Sequence, residues 1–138
     1  MNSLQLKWKR REGGGGKTQR DYLDFVIDDV SLSEKFGDNI SCFGWTVPSE
    51  NEKAVRRLLL EEPADFPNNR RSLYVCAECG DLGCGAVSLI IEKIGDQITW
   101  RDFAYQNNYL DDLIKEYQDL GPFVFDKTDY EKVLKSAL

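Results

Sequence analysis

The sequence predicts a single α+β domain in which an antiparallel β-sheet, built of hairpins and a meander, packs with two or three α-helices. Three observations predict it. Apolar residues alternate with polar ones over short runs separated by glycine- and aspartate-rich turns, as in hairpin-connected strands. Helical periodicity is confined to a few short windows set among these strands. The 138 residues, 41% hydrophobic and 30% charged, suffice for one core without staples. Residues 1–138 are therefore read as one domain, with a flexible glycine-rich loop over 12–19.

Leu4, Leu6 and Trp8 alternate with Gln5 and Lys7, which predicts a strand with one apolar face. Gly13 to Gly16 break it, and residues 22–27 (YLDFVI) resume a strand. Asp28-Asp29 predicts a tight turn into residues 30–32, and residues 33–36 a single helical turn ended by Gly37. Residues 40–47 (ISCFGWTV) predict a strand stopped by Pro48. Ser49 and Glu52 form an S-x-x-E capping box, and Ala54, Val55, Leu58 and Leu59 give the helix behind it an apolar stripe that ends at Glu61-Glu62-Pro63. Residues 63–71 predict a loop. Strands follow at 72–76, 85–94 and 97–105, the last two joined by a Gly95-Asp96 turn. Residues 109–117 predict a helix with Leu110, Leu113, Ile114 and Tyr117 on one face, and residues 123–125 a short strand. Thr128 and Glu131 predict a second capping box opening a terminal helix.

Charge is unevenly spread over the chain, whose net charge is −6. Residues 1–20 carry six Lys or Arg and one acid, whereas residues 21–138 carry 12 basic and 23 acidic side chains. A body this acidic repels nucleic-acid phosphates and favours cationic partners. No histidine occurs anywhere, which excludes His-dependent nucleophiles and leaves any zinc site to cysteines and carboxylates. No apolar run approaches the ~20 residues of a membrane helix, and no apolar h-region follows the basic start. The expected compartment is the cytoplasm, with its cysteines reduced unless a metal or a reaction claims them.

Three motifs carry chemistry. Residues 11–18 (REGGGGKT) match the end of a phosphate-binding loop, but Arg11 stands where the first glycine belongs and a strand, not a helix, follows. A hairpin loop is the better account. Cys76-Ala77-Glu78-Cys79-Gly80 has the C-x-x-C-G form of a zinc knuckle, with Cys84 in reach. Cys42, Glu78 or Asp81 could supply a fourth ligand. The same thiols could instead form a redox pair, although Glu78 and Asp81 oppose thiolate formation, or could pack as small apolar groups in a turn. Finally, Asp111, Asp112, Glu116 and Asp119 make one acidic surface around the 109–119 helix, a face that accepts a basic partner. Trp100, Phe103, Tyr105 and Tyr109 read mainly as core, with one or two of them available as interface anchors.

The run LYVCAECGDLGCGAVSLIIEKIGDQITWRDFAYQNNY, residues 73–109, resembles a family of small bacterial proteins that share Y-V-C-x-E-C-G-D-L-G-C-G-A, a hairpin and W-x-D-F. Some members carry an oxidoreductase label, for which this sequence holds no cofactor motif, and the family brings no catalytic residues to carry over. In size, acidity and aromatic content the chain also resembles immunity proteins of contact-dependent growth inhibition, which bind a toxin domain and block its active site. That resemblance implies a non-enzymatic binding protein whose partner is a basic toxin domain, a nuclease by charge. Its expected contacts are Asp111, Asp112, Glu116 and Asp119, with Glu78 and Asp81 as a second patch. The alternative is a small zinc-binding or oxidoreductase-like protein centred on Cys76, Cys79 and Cys84, with Cys42.

Overall fold

The computed structural model describes residues 1–78, 85–106, 117 and 119–138. The predicted single antiparallel sheet is two. The first joins β1 (Leu4–Arg11), β2 (Arg20–Ile27) and β3 (Val30–Ser31) in that order. The second has five strands in the order β4 (Asn39–Ser41), β5 (Arg71–Cys76), β6 (Ala86–Ile94), β7 (Gln97–Gln106) and β8 (Phe123–Asp126). Every strand pair is antiparallel. Two helices, α1 (Pro48–Leu58) and α2 (Lys127–Lys135), accompany them. The helix predicted over 109–117 falls outside the described residues except for Tyr117.

The β1–β2 hairpin pairs over its whole length, from Leu4 opposite Ile27 to Arg11 opposite Arg20. Asp28 and Asp29 turn the chain with φ of 51° and 68°, the left-handed pair that a two-residue hairpin turn requires. Asp28 is held there by Asn2 Nδ2 at 2.6 Å and Ser3 N at 2.8 Å. The predicted helical turn is a 3₁₀ segment, Leu32–Lys35, followed by Gly37 at φ 62°.

The strand predicted over 40–47 ends at Ser41. Beyond it, side chains take the carbonyls that a ladder would have used: Trp45 Nε1 donates to Ser41 O at 2.6 Å, and Thr46 Oγ1 to Cys42 O at 3.0 Å. Gly44, at φ 93°, lies under the Trp8 ring, where an added Cβ would meet ring carbons at 2.9 Å. Neither predicted capping box forms. Pro48 occupies the first turn of α1 behind Val47, whose side chain cannot cap, and places Ser49 and Glu52 inside the helix. Asp126, not Thr128, caps α2 by accepting from Asp129 N at 3.0 Å. α1 also stops at Leu58, before the predicted Glu61-Glu62-Pro63, with Leu60 at φ 65° turning the chain away.

One aromatic core lies between the sheets and beneath the helices. Phe25 of β2 meets Phe43, Tyr74 and Trp100 edge-on at 5.1, 5.8 and 5.5 Å between centroids. Trp100 continues to Phe125 and Tyr130. Its indole N–H donates to the Tyr130 hydroxyl at 3.1 Å, which donates to Leu58 O at 2.6 Å, satisfying a carbonyl that the end of α1 leaves open. Buried Arg70 pins two irregular strands at once. It donates to Ser88 Oγ and O, where the β6–β7 register shifts, and to the carbonyl of Asp102, whose φ is 56°.

The two sheets also meet at their margins. Leu23 N donates to Phe43 O at 2.9 Å, just past β4. At the other side Asn2 N donates to Val124 O at 2.7 Å while Val124 N donates to Asn2 Oδ1 at 2.8 Å.

Candidate functional site

The basic N-terminal hairpin folds onto the turn that follows β5. Its tip closes through two backbone bonds between Gly14 and Lys17, both 3.0 Å, with Gly15 and Gly16 at positive φ. The Glu78 carboxylate then accepts from Arg11 Nη1 at 2.6 Å and from Thr18 N and Oγ1, each at 2.9 Å. The Thr18 amide, then the Arg11 guanidinium and the Thr18 hydroxyl hold Glu78 down at a pKa of about 2. Arg20 Nε donates to Ala77 O at 2.6 Å, and its guanidinium lies over the Trp45 ring at 4.3 Å. Lys17 pairs with Asp38 at 2.9 Å, and Arg10 with Asp21 at 2.8 Å.

Of the four cysteines, Cys42 and Cys76 lie within the described residues, Cys42 as a free thiol and Cys76 as the last residue of β5. Cys76 ends β5 opposite Asn39, and Cys42 lies just past Ser41, the last residue of β4. Burial pushes the Cys42 thiol up to about 12, which keeps it protonated. Cys79, Cys84 and Asp81 lie outside the described residues. Among the described residues, no group of three or more His, Cys, Asp or Glu side chains could hold a metal ion.

The proposed acidic face is described only at its end. Asp119 is exposed, whereas Asp111, Asp112 and Glu116 lie outside the described residues. Glu78, from the second patch, is engaged internally as described above. Trp100 and Phe103 are both core residues. The exposed tryptophan is instead Trp8, 64% accessible, on the outward end of the β1 apolar face and backed by Gly44.

Sequence reasoning missed a buried carboxylate. Asp24 of β2 is 1% exposed and accepts from Phe25 N at 2.9 Å, Tyr74 OH at 2.5 Å, Ser33 Oγ at 2.9 Å and Ser31 Oγ. Lys9 Nζ donates to Ser33 Oγ at 2.8 Å and Ser31 Oγ at 3.2 Å, so its charge reaches Asp24 through two hydroxyls. Burial, reinforced by Asp24, raises the Tyr74 pKa well above its ordinary value. Four donors fill the acceptor sites of one carboxylate, so Asp24 positions its neighbours and has none left for a substrate proton. A signal was available in YLDFVI, where one acid interrupts an otherwise apolar strand.

A cleft of about 470 Å³ opens between α1, the 42–47 segment and β5, with Cys42, Trp45, Arg57 and Asp65 on its walls. Comparison with protein-family models, with curated proteins and with solved structures finds no significant match to the chain.

Proposed function

We propose that this chain is a non-enzymatic binding protein of the immunity type, which covers a basic toxin domain, most fittingly a nuclease, in the cytoplasm. The observation that carries the reading is the hairpin's internal neutralisation. Of the six basic side chains in residues 1–20, Arg10, Arg11 and Lys17 hold carboxylates, Arg20 a carbonyl and Lys9 two hydroxyls. Three of the six positive charges are thus met by carboxylates within the fold, and a partner meets a chain of net charge −6. Two groups with catalytic chemistry are committed elsewhere: Asp24 is saturated, and the Cys42 thiol stays neutral. On this reading Asp111, Asp112 and Glu116 belong to a third helix over 109–117 and form the contact face with exposed Asp119, with Asp81 and the exposed part of Glu78 as a second patch. A zinc ion on Cys76, Cys79 and Cys84 would stiffen the neighbouring turn and leave the reading intact.

The test is the double reversal Asp111→Lys/Asp112→Lys, measured against a basic toxin domain sought in the reading frame next to this chain's own. Association should slow by about tenfold or more at low salt, and its salt dependence should flatten. An unchanged association rate and salt slope would remove that face from the interface. No binding by the unaltered chain would remove the reading itself.

A further inference from the structure

Arg57 presents an unanswered guanidinium. Its side chain is 21% exposed, yet among the described residues it makes no hydrogen bond, and its Nε is enclosed without an acceptor. Its ion-pair partner, Asp65 Oδ2, stays 3.5 Å from Nη1, well beyond the ~2.7–2.9 Å of a charge-assisted bond. The reason lies on the acid's side: Asp65 already accepts from Ser72 N at 2.9 Å and Ser72 Oγ at 2.5 Å. A guanidinium carries five N–H donors; Nε is shut from solvent, so a further partner reaches only the Nη groups at the exposed end of the side chain.

The surroundings of Arg57 describe that partner. Arg57 lines the 470 Å³ cleft with Trp45, Val47, Ala54 and Val75, which offer one aromatic and several aliphatic surfaces. Arg20 stands at the same cleft with its face on Trp45. A cavity of this size is in the usual range of a small-molecule site, and its wall is shared between these surfaces and the polar or charged Arg20, Thr46, Glu50, Arg57, Asp65 and Ser72. Two guanidinium groups call for an anion, and the planar fork of arginine matches a carboxylate. Asp65 and Glu50, which also line the cleft, oppose a dianion such as phosphate. Burial keeps the Cys42 thiol on the cleft wall in its neutral form.

We infer that this cleft is a binding site for a small organic monocarboxylate with an apolar or aromatic body, its carboxylate on Arg57 and its body against Trp45. The site goes beyond the toxin-binding reading and stands or falls separately from it.

The experiment is a ¹⁵N-edited NMR titration of the intact protein, following the Arg57 Nε–H and Trp45 Nε1–H signals. Phenylacetate is the probe, and phenylacetamide and inorganic phosphate are the controls. Phenylacetate should shift both signals saturably, with phenylacetamide and phosphate each weaker by about tenfold or more, the worth of one charged hydrogen bond. Arg57→Gln should lose the response to a similar degree. Arg57→Lys, which keeps the charge and loses the fork, should weaken binding less, and both variants are first checked by circular dichroism for an unchanged fold. If Arg57→Gln does not fold, the lysine variant and the neutral amide still decide. The inference is overturned if neither signal shifts, if the amide binds as well as the acid, if phosphate binds as well as phenylacetate, or if both arginine variants bind like the unaltered chain.

Discussion

Trp100 and Glu78 each join parts of the chain far apart in sequence, and they do so by opposite chemistry. Trp100 is fully buried and touches Phe25, Phe125 and Tyr130 with ring edges and faces, its single polar atom spent on the Tyr130 hydroxyl. Glu78 keeps a substantial exposure, 40% of its side chain, and holds the hairpin tip through three donors in an open, polar setting. The core gains from removing apolar surface from water, is insensitive to salt, and is intolerant of lost volume. The clamp gains from directed charge-assisted bonds that water and ions compete for. Global stability therefore resides between the sheets, while the clamp sets where one hairpin rests.

That contrast can be broken at either end. Trp100→Ala should cost about 3–5 kcal/mol in chemical denaturation, because it opens a large cavity and removes the indole N–H from which the Tyr130 hydroxyl accepts. A loss under about 1 kcal/mol would move the centre of the core elsewhere. Tyr74→Phe should cost less, about 1–3 kcal/mol, by removing one of four donors from buried Asp24. Its effect should also depend on pH. Tyr74 and Tyr130 both have folded pKa values raised by burial, so the stability they lend is complete below the ordinary value of 10.0 and is lost as pH rises above it. Alkaline unfolding should be less steep in Tyr74→Phe, and an identical slope would show that Tyr74 ionises freely in the fold.

Glu78→Gln should have the smallest global effect and the most local one. The carboxylate's folded pKa is depressed from 4.5 to about 2, so its contribution is present above pH 4.5 and fades as pH falls toward 2. The Thr18 amide signal should titrate with a midpoint about 2 in the unaltered chain and lose that transition in the variant. A midpoint near 4.5 would mean that the clamp is open in solution.

How much of this was legible in the sequence follows the same division. The hairpins, the 3₁₀ turn and the long β6–β7 meander were readable because alternation and turn residues are local signals. Residues 42–47 misled because β-rich composition says nothing of Gly44 passing beneath Trp8, a contact set by the other sheet. Both capping boxes misled because Pro48 and Asp126 lay one and two residues ahead of the chosen serine and threonine, each a stronger start signal in place. The single predicted sheet became two because strand order is a long-range property. The Arg11–Thr18–Glu78 clamp and the Asp24 network join residues 50 to 67 positions apart, and no spacing rule connects them. The charge asymmetry of residues 1–20 was a true signal of such a clamp, readable only once the acids it meets were placed.

The paired bonds between Asn2 and Val124 have a consequence for aggregation. β8 is an edge of the five-stranded sheet, and an open edge offers unpaired donors and acceptors on which a foreign strand can grow. Asn2, just ahead of β1, occupies that edge with its backbone N–H and its side-chain oxygen, and Leu23 of β2 meets Phe43 just past β4 through its backbone N–H. Each sheet thus supplies the stop codon, as it were, for the other's lateral growth. Release of the first few residues alone would leave the core folded while exposing a strand edge ready to recruit a second chain.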